Sequence, residues 1–282
     1  MKKLIIITGP TASGKTAYAI RLARELGTEI LSCDSRQFYS EMRIGVARPS
    51  DEELAEAKHH FIACRSVTEP YNIFDYEREA MSLLEGLFQR CDTAIAVGGS
   101  GLYVDALRHG VTSMPDPTPD LRARLQQMSI EEKRAQLQML DPDYYARVDL
   151  RNPVRLQRAL EVCYMTGRPY SQVIAESHPV ERPFDIEVRV IGTPKSTFSP
   201  LSTEMLRSRI DRRVDQMMID GLLEEVRSLL PYRYLNTLNT VGYRELFSVL
   251  DGTSSLDDAV VQIKLNTWHY ARKQLTWCRR YI

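Results

Sequence analysis

Residues 4–8 (LIIIT) form an apolar, β-branched run that predicts a buried strand, and similar runs stand at Glu29–Cys33 and Thr93–Val97. Between them, apolar residues recur at helical spacing over Lys15–Leu26 and about Asp75–Arg90. Strands alternating with helices imply a parallel sheet covered on both faces, with ligands at the carboxyl ends of the strands. The alternation stops at MPDPTP (Met114–Pro119), and residues 120–177 then carry only helical patterning, as in DLRARLQQM and PVRLQRALEVCYM. One more strand is predicted at Ile186–Ile191, past the polar stretch SHPVERPFD. Helices are predicted over Thr203–Leu230, Tyr243–Leu250 and Leu256–Arg280. The pattern describes an α/β core formed by residues 1–114 and 186–282, with a helical domain, residues 115–185, inserted between the two proline-containing stretches.

The first strand runs directly into GPTASGKT, Gly9 to Thr16, and the helical pattern starts within it. Strand, glycine loop and helix in this order make a P-loop, so the core is a P-loop NTPase-like parallel sheet. Gly9 and Gly14 let the backbone approach a ligand, with Pro10, Thr11, Ala12 and Ser13 between them. Lys15 neutralises charge on phosphate oxygens, and the Thr16 hydroxyl suits a magnesium ion. The cradle specifies a diphosphate or a nucleotide without choosing between them.

Composition narrows the choice little. Among 282 residues the 37 basic side chains balance the 37 acidic ones, so a polyanionic partner has to be sought in local clusters. The five cysteines lack CxxC spacing and suggest neither a zinc site nor a disulfide framework; reduced, buried thiols are expected. No leader or long apolar span precedes the first strand, so a soluble cytoplasmic protein is expected, without a membrane partner and as a monomer.

Asp34 ends the second strand in CDSRQFY, where a carboxylate faces the ligand crevice and can bind magnesium or accept a proton; a turn or helix cap is its structural alternative. The third strand delivers VGGSGLY (Val97 to Tyr103) where ATP-hydrolysing P-loop proteins commonly place an acidic magnesium ligand, an argument against ordinary ATP hydrolysis. Two segments concentrate positive charge. Arg151, Arg155, Arg158 and Arg168 surround a single acid, Glu161. Lys264, Arg272, Lys273, Arg279 and Arg280 share a run with Trp268, His269, Tyr270 and Trp277 and no acid. Guanidinium groups beside flat rings suit a polyanion with unpaired bases; solvated helix faces over core aromatics are the alternative. Arg209 and Arg213 share a helix face four residues apart. His59-His60 is assigned no metal, because neighbouring residues on a helix diverge by about 100°.

GPTASGKT, DSRQFY, IGVARP (Ile44 to Pro49), HHFI, VGGSGLY, RLQRALEV, TGRPYS, RSRIDRRVDQM, DGLLEEV, VGYREL and YARKQLTW occur in an order that resembles the tRNA dimethylallyltransferase family over nearly the whole chain. The resemblance implies transfer of a dimethylallyl group from dimethylallyl diphosphate to the exocyclic N6 amine of the adenosine 3′-adjacent to the anticodon, with Mg²⁺ and with tRNA held by its anticodon stem-loop. It implies a P-loop core with an inserted helical lobe, and a channel in which the two substrates meet from opposite ends. Carried over by position, residues 9–16 bind diphosphate and Thr16 holds the metal. Asp34 is the base, and Lys15, Ser100, Arg209 and Arg213 complete the catalytic group. Asp34, Ser35, Arg36, Gln37, Ser100, Arg122, Arg155, Leu156, Gln157 and Arg158 meet tRNA. Val46, Arg48 and Trp268 stand where the family usually has Thr, Lys and Arg, and Ser100 stands for a threonine. The residues alone also admit a small-molecule kinase, a prenyltransferase acting on free adenine nucleotides, or an RNA-binding module with a vestigial P-loop.

Overall fold

The computed structural model describes residues 1–282 except 112, 113, 115 and 177–179, so parts of both proline-containing stretches lie outside the described residues. The chain divides into two compact units, Met1–His109 with Glu181–Ile282, and Gly110–Val180. Both boundaries fall five residues before those read from the sequence. The return segment belongs to the first unit because Arg182 donates to the Ala106 and Leu107 carbonyls and pairs with Glu77, while the Phe184 ring packs against Phe88.

In the first unit the order is β1 (Lys3–Thr8), α1 (Lys15–Leu26), β2 (Ile30–Ser32), α2 (Asp51–Glu56), β3 (His59–His60), α3 (Ile73–Phe88), β4 (Thr93–Val97) and α4 (Gly101–His109). After the second unit's α5 (Pro119–Gln127), α6 (Ile130–Leu140), α7 (Pro142–Tyr145), α8 (Pro153–Thr166) and α9 (Tyr170–Ala175), the first unit resumes. It continues with β5 (Asp185–Val190), α10 (Thr203–Ile219), α11 (Leu222–Ser228), α12 (Tyr243–Leu250) and α13 (Leu256–Cys278). The five strands form a parallel sheet in the order β3-β2-β4-β1-β5, with β1 set between β4 and β5. Alternation along β1 feeds both faces: Leu4 and Ile6 enter a large core with α3, α4 and α11–α13, whereas Ile5 and Ile7 meet Ala19, Ile20 and Ala23 of α1. None of the described helices is long and apolar enough to cross a membrane.

Several expectations shift. The stretch Thr203–Leu230 is two helices rather than one, because Gly221 takes a left-handed backbone (φ 98°) at the start of α11. Sequence periodicity passed over α2, six residues without a buried side chain; its signal is the capping box between Ser50 and Glu53. His59 and His60 lie on a strand, not a helix, and His60 Nε2 contacts Glu29 at 2.5 Å. Cys64, expected to be buried, is exposed in the loop after β3. In the second unit, Leu125, Leu137, Leu156, Ala159 and Leu160 form the core.

Candidate active site

At the carboxyl ends of β1, β2 and β4 the first unit holds a cavity of about 760 Å³, lined by the cradle from Thr11 to Thr16, by Asp34 to Gln37, by the loop Gly45–Pro49, and by parts of α10 and α13. The cradle sits here because β1 cannot continue. A side chain at Gly9 (φ 154°) would put its Cβ 2.2 Å from the Ile191 carbonyl oxygen, and Gly14 (φ 90°) turns the backbone into α1. Lys15 Nζ folds onto the Pro10 carbonyl at 2.7 Å. Burial, aided by the charge of Arg213, pulls its pKa down to about 8. A cation this desolvated gains much from an incoming anion.

Asp34 faces the same cavity. Its Oδ1 accepts the Arg36 amide at 3.1 Å, so the turn role and the pocket position coexist in one side chain. Burial raises its pKa against the opposing pull of the Arg36 amide and of Lys15, making it more basic than an ordinary aspartate. Ser100 is tied to the same segment: its Oγ accepts the Ser35 amide at 3.2 Å and lies 3.2 Å from Ser35 Oγ. Tyr270 borders the same cavity, where desolvation of its phenol, with the nearby Asp34 charge, pushes its pKa up to about 12.

Arg213 enters from α10, donating to Thr11 Oγ1 at 3.3 Å, while Arg209 Nη1 lies 3.9 Å from the Cβ position of Gly14. The two arginines therefore converge on the cradle. Thr16 lines the cavity, and its hydroxyl makes no hydrogen bond to the described residues, which leaves it available to a cation carried in on phosphate oxygens. Gln37 is engaged internally: its amide nitrogen donates to the Val46 and Ala47 carbonyls at 3.3 and 3.0 Å, and its oxygen accepts Ser32 Oγ at 3.3 Å.

The basic segments resolve unevenly. On α13, Arg272 and Lys273 are exposed and Lys264 is paired with Asp215; just past its end, Arg280 lies 3.6 Å from Asp105. Both tryptophans are partly buried. Trp268 lies against Ala12, Leu206 and Ile210 beneath the Arg207 guanidinium, and Trp277 packs on Tyr281 and donates to Asp105. His269 and Tyr270 of the same run border the cavity. In the second unit Arg122 and Arg155 are exposed, whereas Arg158 lies 3.4 Å from Glu161 and Gln157 bridges Lys133 and Glu161. Leu156 corrects the sequence reading: its side chain is fully buried in that unit's core and cannot meet tRNA.

Sequence reasoning missed three positions that build the site. Glu225 accepts the amides of Arg43, Ile44 and Gly45 and the Tyr243 hydroxyl, holding the loop that lines one wall. Glu245 accepts the Gly242 amide and Asn266 Nδ2 at another wall. Gln274 is buried between the cradle and the glycine loop. For Gln274 a signal existed, since it falls with Ala271 and Cys278 on the buried stripe of α13, where an amide is unusual unless it has partners.

Comparison with known proteins follows the same lines. A profile of the family described as IPP transferase matches residues 37–281. The tRNA dimethylallyltransferase of Flavobacterium johnsoniae is 46% identical over 290 aligned residues, covering 99% of this chain and 91% of its own. That of Christiangramia forsetii is 44% identical, covering 98% and 90%. Among solved structures, the full-length tRNA isopentenylpyrophosphate transferase of Bacillus halodurans superposes with a TM-score of 0.69 at 31% identity, over 99% of this chain and 87% of that one. A eukaryotic dimethylallyltransferase acting on tRNA gives 0.81 at 26% identity, over 99% and 70%. A P-loop, a strand-end aspartate and a glycine-serine loop gathered at one cavity, in a chain alike from end to end to these enzymes, mean that it belongs to the IPP transferase family.

Proposed function

We propose that this protein is a tRNA dimethylallyltransferase, moving the dimethylallyl group of dimethylallyl diphosphate to N6 of the adenosine 3′-adjacent to the anticodon and releasing diphosphate. The observation that carries the reading is the pairing, in one cavity, of a cation-rich phosphate cradle with a desolvated carboxylate and no acidic residue at the end of β4. A bond forms between N6 and C1 of the allyl group while the C1–O bond breaks, and the electron pair leaves with diphosphate. Lys15, Arg209 and Arg213 stabilise the charge growing on the leaving oxygens. Thr16 would hold a magnesium ion on the diphosphate, where it would supply further positive charge. Asp34 takes the N6 proton as the new bond forms, since a neutral aromatic amine is a weak nucleophile.

For adenine to reach Asp34 it must leave its stack, and the reaction therefore suits an anticodon loop whose bases are already unpaired. The exposed Arg122 and Arg155 of the second unit and Arg272 and Lys273 of α13 are the positions proposed to meet tRNA phosphates. Likeness to enzymes named for their action on tRNA supports this partner. The test is labelled dimethylallyl diphosphate offered in parallel with total tRNA and with AMP. Label is expected in tRNA alone; label in AMP alone, or in neither while phosphate moves from ATP, would overturn the reading.

A further inference from the structure

Gln274 is 7% exposed, and its side-chain amide spans the two loops on which the proposed reaction depends. Its Oε1 accepts the Thr11 amide of the cradle at 2.8 Å, and its Nε2 donates to the Gly99 carbonyl at 2.9 Å. A glutamine amide offers an acceptor and a donor on one short planar group and stays neutral at every pH. Each loop carries one side of the chemistry. Thr11 itself carries the hydroxyl that receives Arg213, and beyond it are Lys15 and Thr16. Beyond Gly99 is Ser100, which holds the Ser35 amide next to Asp34. The fit leaves no slack, because a Cβ on Gly99 would lie 2.3 Å from Gln274 Nε2.

We infer that Gln274 is a positioning residue for prenyl transfer, acting as a strut that sets the distance between the diphosphate cradle and the Asp34–Ser100 segment. Gln274 borders the cavity, but both ends of its amide are engaged by backbone groups, so it acts through the two loops. The cradle's own anion-binding groups, Lys15 and the α1 amides, are complete without it, and the strut acts on alignment of the allyl carbon with the amine. Loss of the strut therefore moves kcat rather than binding. This rests on the reading of the site as a tRNA prenyltransferase.

The test uses the full chain. Gln274→Leu keeps the size of the side chain and removes both hydrogen bonds. Inorganic diphosphate binding is measured by calorimetry, tRNA binding by titration, and turnover is expressed per diphosphate-binding site. Expected are diphosphate and tRNA affinities within about threefold of the parent and kcat lower by about 10- to 100-fold, the range that small misalignments of reacting groups produce. Parental kcat per site, or a loss of both affinities as large as the loss of turnover, would overturn the inference. Gln274→Glu supplies the second reading. As a carboxylate it can accept from Thr11 but opposes the Gly99 carbonyl, and as a carboxylic acid it can again do both. Tyr270 on the same helix, Arg213 beyond Thr11, and Lys15 and Asp34 in the cavity titrate in both proteins, so the ratio of variant to parent kcat isolates residue 274. That ratio should rise toward one as pH falls; a ratio flat across pH would contradict the strut. Failure of the parent protein to prenylate tRNA would instead strike the functional reading, while the diphosphate and tRNA affinities of the variants remain measurable.

Discussion

Replacing Glu225 by alanine removes the acceptor of four hydrogen bonds in one step, from the amides of Arg43, Ile44 and Gly45 at 3.0, 2.7 and 3.0 Å and from the Tyr243 hydroxyl at 2.7 Å. The Arg43 amide is exposed and finds water at little cost. Tyr243 is wholly buried, and its stranded hydroxyl costs about 1–3 kcal/mol; the two partly buried amides add about 1 kcal/mol each. The sum, roughly 3–5 kcal/mol, is a large part of the 5–15 kcal/mol that holds a typical domain together. For a unit of this size it corresponds to a fall in melting temperature of about 6–20 °C. Thermal melts of Glu225→Ala, Tyr243→Phe and the double variant test the accounting. Because the hydroxyl is the largest contribution, Tyr243→Phe in the Glu225→Ala background should recover part of the loss instead of adding to it. A melting temperature within about 2 °C of the parent for Glu225→Ala, or strictly additive losses, would refute the assignment of Glu225 as the holder of the Gly45–Pro49 wall.

Asp34→Ala should abolish transfer and leave tRNA affinity within a few fold; in the parent, kcat/KM should fall on the acid side through a pKa above the ordinary carboxylate range, as expected for a base that must be ionised, and a pH-independent acid limb would count against it. Lys15→Met should weaken inorganic diphosphate binding yet raise the melting temperature near pH 7. Burial holds the lysine pKa down at about 8, so its charge destabilises the fold below that pH by roughly 3 kcal/mol, of which up to about 1.5 kcal/mol remains as net gain once the charged hydrogen bond to Pro10, worth about 1.5–3 kcal/mol, is lost. The gain should shrink as pH rises from about 8 and vanish above about pH 10, where folded and unfolded chains are both deprotonated; a gain constant with pH would contradict the cause. Neutral substitutions at Arg155, Arg272 and Lys273 should each flatten the log–log salt dependence of tRNA binding by about 0.7–0.9, whereas Arg158, which meets Glu161, should change it less; unchanged slopes at all three exposed positions would move the tRNA elsewhere.

The parallel sheet and the cradle were legible because both are written in local pattern. A β-branched run entering GPTASGKT leaves few alternatives for β1 and α1, and the Asp34 position follows from its strand end. What stayed hidden depends on contacts far apart in the chain. Glu225 looked like one acid on an amphipathic helix, and only the fold brings it to amides some 180 residues earlier. Gln274 reaches across 263 positions to Thr11. Which aromatic and apolar side chains turn inward was hidden for a related reason: Trp268 and Trp277 are partly buried against the core, and Leu156 sits inward beside exposed Arg155 because successive helix positions differ by about 100°.

The central claim is that this P-loop pocket breaks a carbon–oxygen bond rather than a phosphorus–oxygen bond. Dimethylallyl diphosphate carrying a heavy oxygen isotope at the bridge between carbon and phosphorus decides the matter when it is turned over with tRNA and the products are weighed by mass spectrometry. The expected result is bridging label wholly in released diphosphate, in amounts equal to the dimethylallyl groups gained by tRNA, with ATP neither required nor consumed. Label retained on a dimethylallyl alcohol or monophosphate, with phosphate passed to another acceptor, would contradict it.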